Sequence, residues 1–313
     1  MRRLAPLIST LLLLAVAACG GSDHKSTSAT ATTPSGEFPG VSGAFGNKPT
    51  LTFPTNKPGN TLGKKVLRTG TGAVISKGDL LVADYLGQIW QGKVFDNSYD
   101  RGQPAAFQIG NSKVIQGWDE GLLGVTAGSR VLLTIPPSLG YGQSGNTQAG
   151  IKGTDTLTFI VDVIATYPRF TAGDPKAAVQ QVTTGPKVTG SLAKMPTVKV
   201  PKGTTPPSKE TVTVLAKGSG DPVKAGMTIV QYRAVTWDGK DAGSTWNDGA
   251  PAGVGVGSTS QATPFDVLKG VPIGSRVLML IPAQSGQKPA TASVAVVVDV
   301  VAQPPTAKDL PAQ

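Results

Sequence analysis

"VADYLGQIWQGKVFDNSYDRG", residues 82–102, is the stretch on which the reading of this chain turns. Its first half reads as a strand with apolar alternation, and "QGKVFDNS" resumes after a Gly turn. Tyr85 and Phe95 supply two large rings, and the carboxylate of Asp96 follows directly on Phe95. Downstream, "VIQGWDEGL" (114–122) and "PPSLGYG" (136–142) add Trp118 and Tyr141. Aromatic residues make up only 5% of the chain, so their concentration here is not what a uniform core would produce. The stretch reads as one small apolar pocket laid along a twisted sheet.

Outward from it, "AAFQIG" (105–110), "SRVLLTIP" (129–136) and "DTLTFIVDVIATY" (155–167) read as further strands, the last two rich in β-branched residues. Apolar residues at 114, 115, 118, 122 and 123 have helical spacing over about three turns. The unit they build is mostly antiparallel sheet with one short helix packed across it. Gly 40 and Pro 25, with charged residues at 15%, agree with short strands and turns.

The pattern then returns. "KPTLTFP" at 48 recurs as "MPTVKVP" at 195, and "VLRTGTG" at 66 as "VLAKGSG" at 214. "YLGQIWQGK" at 85 recurs as "YRAVTWDGK" at 232, and "GSRVLLTIP" at 128 as "GSRVLMLIP" at 274. So steady a separation indicates a tandem duplication. The expected boundaries are 1–19 signal peptide, 20–47 disordered tether and 48–167 first domain. A linker at 168–194, a degenerate second domain at 195–303 and a tail at 304–313 follow.

Residues 62–166 resemble an FKBP-type peptidyl-prolyl cis-trans isomerase. The resemblance is carried by "VADYLG", "GKVFDNSYDRG", "VIQGWDEGL", "GSRVLLTIPPSLGYG" and "TLTFIVDVI", in that order. It implies an α+β fold of two FKBP-like domains, each a bent antiparallel sheet wrapped around a short α-helix. It also implies a pocket with Trp118 as floor under the proline ring and Tyr85, Phe95, Val114 and Phe159 as walls. Ile115 would offer its backbone N–H to one substrate carbonyl, and Tyr141 its hydroxyl to another. Asp96 would face the pocket edge, held by Tyr85 or Arg101, and Ile151 would close the pocket from the loop after Tyr141. Ala105 departs from the family, which more often carries an aromatic there, and this lowers one wall. The chemistry implied is rotation about a proline peptide bond, which needs no cofactor, metal or nucleophile. The implied partners are proline-containing unfolded or exported polypeptides, and macrolide ligands.

In the second copy Phe95 becomes Ala242, Asp96 becomes Gly243, Arg101 becomes Asp248 and Trp118 becomes Phe265, while Tyr232 is kept. Its strands stay apolar, so the expectation is a retained fold without the chemistry. The competing reading is a surface binding or chaperone lipoprotein that uses both folds as scaffold without turnover.

Arg2, Arg3 and the short apolar run ending "LLLLAVAAC" resemble a bacterial lipoprotein signal with lipidation at Cys19, against the alternative of an ordinary secretory signal. The expectation is export and lipid anchoring to the extracytoplasmic face of the cell membrane. Cys19 is the single cysteine and His24, in the tether, the single histidine, which removes the usual residues of metal clusters and catalytic triads. The net charge of +10 is diffuse. Nine Lys or Arg against three acids fall in 169–224, without interleaved aromatics, so nucleic acid is not an expected partner.

Overall fold

The computed structural model describes residues 37–257, 262–283 and 292–310. The signal peptide, Cys19 and His24 lie outside the described residues. Both repeats belong to one compact unit.

The first lobe opens with a hairpin of β1 (Gly40–Ser42) and β2 (Thr50–Thr52). Then come β3 (Gly63–Arg68), β4 (Leu80–Ile89), β5 (Val94–Asn97), β6 (Ala105–Gln108), helix α1 (Gln116–Leu122), β7 (Arg130–Ile135) and β8 (Leu157–Tyr167). The sheet order is β3-β7-β8-β4-β5, and β6 extends along the first half of β4 where β5 borders the second. Every pairing is antiparallel. Side chains alternate across β4, so Leu81, Ala83 and Tyr85 face α1 while Leu80 and Val82 face away from it.

Helix α1 is two turns long, shorter than the apolar spacing suggested, because Leu123 leaves helical geometry and Gly124 adopts φ +76°. It lies very close to β7. A Cβ on Gly117 would stand 2.5 Å from Ile135, and one on Gly121 2.8 Å from Leu133. These glycines, four apart on one helical face, let the helix press Trp118 and Leu122 into the core.

The second lobe repeats the plan with β9 (Ala178–Val179), β10 (Lys187–Thr189), β11 (Thr197–Lys199), β12 (Thr211–Lys217) and β13 (Gly226–Thr236). After these come β14 (Asp241–Ser244), α2 (Thr245–Asp248), β15 (Ala252–Val256), β16 (Arg276–Ile281) and β17 (Val294–Ala302). Its sheet order is β14-β13-β17-β16-β12-β9, with β15 also on β13. Here the crossing element is a 3-10 turn, Pro264–Leu268, rather than the short α-helix expected in each domain. Pro264 removes an amide donor and Thr263 caps the turn, which favours a tight single turn.

Three expected boundaries move. The end of the supposed tether is folded: β1 pairs with β2, Phe45 packs against the core, and the Gly46 N–H donates to Asp162 at 2.7 Å. Residues 187–194, expected as linker, form the equivalent hairpin of the second lobe. The tail is also tied down, with Ala307 buried and Leu310 packed beside it.

The physical anchor of both hairpins is a buried ion pair. Arg130 (4% exposed) meets Asp162 (0%) through Nε at 2.6 Å and Nη2 at 2.7 Å, and also donates to the carbonyls of Gly43 and Asn47. Arg276 does the same with Asp299, and donates to the carbonyls of Ser191 and Lys194. The duplicated unit therefore begins about eight residues earlier in each copy than the sequence repeats quoted above.

The lobes are not beads on a string. Leu80, Val82 and Ile164 from the first and Ile229 from the second are buried in one shared apolar cluster, with Ala106 and Met227 packed against it.

Candidate active site

The pocket lies between the concave face of the first sheet and α1, in a cavity of about 230 Å³. Its floor is Trp118, 3% exposed, with rings standing edge-on around it. Tyr85 is 5.5 Å away at 88°, Phe159 5.3 Å at 83° and Phe107 4.9 Å at 68°, centroid to centroid. Phe95 meets Phe159 at 5.6 Å and 85°. Edge-to-face packing of this kind fixes each ring by its neighbours. Gly87, near the C-terminal end of β4, makes room for it. A Cβ there would stand 2.7 Å from Phe95 and 2.8 Å from Phe159.

One polar group is held at the rim. The Tyr85 hydroxyl donates to Asp96 Oδ2, and Arg101 Nη1 donates to Asp96 Oδ1 at 2.6 Å. Arg101 Nη2 also donates to the Tyr85 oxygen at 2.8 Å, and the guanidinium lies 5.4 Å from the Tyr85 ring centroid. Asp96 is thus gripped by both Tyr85 and Arg101, where sequence reasoning left the choice open. Its side chain is 44% exposed. Burial, and then the hydrogen bond to Asp96, push the Tyr85 phenol up to about 12. It therefore remains a neutral donor to Asp96 at physiological pH.

Val114, Ile115 and Tyr141 complete the lining. Ile115 is the residue before the first turn of α1, with extended backbone (φ −62°, ψ 146°), and its N–H has no hydrogen-bond partner among the described residues. Tyr141 stands between the 3-10 turns Pro137–Leu139 and Gly142–Ser144 and is 37% exposed. The Trp118 indole N–H also lacks a partner among the described residues.

Two expected residues sit elsewhere. Ile151 does not line the cavity; it is 3% exposed in the core, paired with Asn146 in a backbone bridge that folds the 142–152 loop. Arg101 does not line it either, and acts through Asp96 and Tyr85. Two lining residues escaped the sequence reading, Phe107 and Lys113. The signal for Phe107 was available: on a strand, Ala105 and Phe107 share a face, so the ring missing at 105 is supplied two residues later. Lys113 carried no signal.

In the second lobe the kept Tyr232 faces Phe265 at 6.4 Å in a tilted arrangement. Gly243 pairs with Ala234 where Asp96 pairs with Gly87, so no carboxylate stands beside the phenol at that position. Among the described residues no cluster of His, Cys, Asp and Glu suits a metal, and no helix is long and apolar enough to cross a membrane.

Comparison with known proteins bears on residues 72–164, which match the family model described as FKBP-type peptidyl-prolyl cis-trans isomerase. An FK506-binding protein of Streptomyces anulatus is 38% identical over 119 residues, covering 38% of this chain and 96% of that protein. The FKBP-type isomerase FkpA of Escherichia coli is 39% identical over 104 residues, 33% of this chain and 37% of that protein. The crystal structure of AtFKBP13 aligns with 36% identity over 34% of this chain and 93% of that chain, at a TM-score of 0.32. Against three Arabidopsis thaliana relatives the chain spans 60%, 58% and 51% of their lengths.

Proposed function

The chain belongs to the FKBP-type peptidyl-prolyl cis-trans isomerase family, and we propose that its first lobe speeds rotation about Xaa–Pro bonds in exported polypeptides while the second lobe is catalytically silent. The observation that carries this reading is the buried aromatic floor at Trp118 lying beside a carboxylate clamped by Tyr85 and Arg101.

The barrier to be lowered, ~18–20 kcal/mol, comes from amide resonance. A twisted amide has lost charge separation at its carbonyl, so an apolar, water-poor site favours it over the planar form. The proline ring sits on Trp118, walled by Tyr85, Phe95, Phe107 and Phe159. The free N–H of Ile115 holds one carbonyl beside the ring, and the Tyr141 hydroxyl holds a second. No bond is made or broken, so the site works by shape, desolvation and hydrogen bonds that suit the twisted state. The S. anulatus relative is named for FK506 binding, and a macrolide of that class would compete for the same floor.

Lipidation at Cys19 would tether the lobes to the outer side of the cytoplasmic membrane, where newly exported chains wait tens of seconds for uncatalysed isomerisation. Substitution Cys19→Ser, read by membrane fractionation after labelling with a fatty acid, tests this; label retained on the variant refutes it.

The test of activity is cis–trans exchange of a short Xaa–Pro peptide, followed by NMR with the full chain. Acceleration by the wild type, lost in Trp118→Leu and kept in Phe265→Leu, supports turnover in the first lobe alone. A folded wild-type chain that binds the peptide without accelerating exchange supports the non-catalytic binding reading instead.

A further inference from the structure

We infer that the silent second lobe is a brace that sets the position of the Phe107 wall, and so tunes the pocket of the first lobe through one strand-to-strand contact. The inference concerns the pocket of the function proposed above and rests on that reading for its kinetic consequence alone.

β6 is the strand at issue. Because side chains alternate, Phe107 points to the pocket, against Trp118 and Tyr85, while Ala106 points to the opposite face. That opposite face meets β15 of the second lobe. A Cβ built on Gly253 would stand 2.8 Å from the Ala106 Cβ, so the two strands approach as closely as a missing side chain permits. Gly253 lies within a strand at negative φ, so its backbone would accept alanine; what opposes a side chain is first Ala106 on the facing strand and then Met227 Sδ at 3.1 Å, the end of a flexible side chain that can turn aside. Gly253 and Ala106 are also equivalent positions of the two repeats. Ala106 pairs with Val82 on β4, and Gly253 pairs with Ile229 on β13, both buried in the shared cluster. Two side-chain bonds flank the contact. Gln108 Nε2 donates to the Asp248 carbonyl at 3.4 Å, and Arg169 Nε donates to the Gly249 carbonyl at 3.1 Å.

β6 is short, four residues, and its pairing to β4 is its one ladder among the described residues. A strand held on one edge has its tilt decided by what packs on its faces. On one face that is the aromatic cluster; on the other it is Gly253. Moving β15 therefore moves Phe107, and with it the ring packed closest to the Trp118 floor. This gives the second lobe a use that does not need the residues it has lost, and it makes Ala106 and Gly253 positioning residues.

The experiment uses the full chain. Gly253→Ala pushes two carbons at 2.8 Å towards an ordinary contact of ~3.5–4.0 Å, so the strands must part by about 1 Å. A displacement of that size at a substrate-positioning group lowers kcat/KM by about tenfold or more. The pairing Gly253→Ala with Ala106→Gly exchanges the methyl between strands and should restore the wild-type value. Leu280→Ala, in the second lobe's separate apolar cluster, is the control for general loosening of that lobe. Amide exchange of Ala105–Gln108 is recorded on the same samples. The inference expects Gly253→Ala to speed exchange at β6, the double variant to reverse it, and Leu280→Ala to leave it unchanged. It is overturned if Gly253→Ala leaves β6 exchange as in the wild type, or if Leu280→Ala speeds it equally. If the wild type shows no isomerase activity, the functional reading fails by itself, and the exchange results still decide the brace.

Discussion

Tyr85→Phe isolates the polar clamp from the aromatic packing. The phenylalanine ring keeps the edge-on contacts to Trp118 and Phe107, both at 5.5 Å, so no cavity opens. What disappears is one oxygen that donates to Asp96 and accepts from Arg101 at 2.8 Å. Hydrogen bonds to charged groups contribute ~1.5–3 kcal/mol each when water cannot replace them. Here the side chains of Asp96 and Arg101 are each 44% exposed, so water recovers much of that, and the net loss of stability should be about 1 kcal/mol. Asp96 keeps its Arg101 contact at 2.6 Å but loses the second grip that fixes its direction. The expected kinetic effect is a fall in kcat/KM of about three- to tenfold, equivalent to ~0.7–1.4 kcal/mol. Denaturant unfolding measures the first quantity and NMR exchange of an Xaa–Pro peptide the second. A variant as stable and as active as the wild type would show that the clamp serves neither folding nor the site. A variant destabilised by more than about 3 kcal/mol would show that the exposed pair is far less hydrated than its accessibility implies.

Three further outcomes follow from the geometry. Gly87→Ala sets a methyl against both Phe95 and Phe159, so peptide affinity should fall at least several-fold, and unchanged affinity by titration would refute the close approach. Asp162→Asn leaves the Arg130 guanidinium buried without a counter-charge and should cost about 3–5 kcal/mol in denaturant unfolding, whereas a loss under about 1 kcal/mol would contradict a buried pair. Tyr85 holds its proton up to about 12 in the folded chain against ~10 unfolded, so the folded state binds more protons in that window. Its contribution to stability is therefore complete below pH 10 and is lost as pH rises from about 10 to 12. Ultraviolet difference titration of Tyr85→Phe against wild type checks it, and a phenol missing near pH 10 instead would refute it.

Much of the site was legible because its residues are local to the strands and turns that carry them. Tyr85, Phe95, Asp96 and Arg101 fall within seventeen residues, on β4, β5 and the turn after it. A strand and its neighbour bring such residues together whatever the rest of the chain does. Trp118 was readable from helical spacing, and Phe107 could have been read from the two-residue period. Ile151 was misplaced because its backbone bridge to Asn146, which folds the loop back into the core, leaves no periodic trace. The first strand of the hairpin, Gly40–Ser42, was missed because its composition is that of a solvated tether. It is folded by Arg130, far along the chain, which reaches the carbonyls of Gly43 and Asn47.

The sequence by itself carried the family resemblance, the internal repeat, the presence of the strands and the loss of Phe95, Asp96 and Trp118 equivalents in the second copy. Each of these is written in residue identity and in a period of two or of nearly four. Only the tertiary structure decided that the lobes share a core, that Gly253 meets Ala106, and that both hairpins hang on buried arginines. Those outcomes depend on which faces of two already complete sheets come together. A face that is apolar for a partner lobe looks the same, residue by residue, as one that is apolar for its own core.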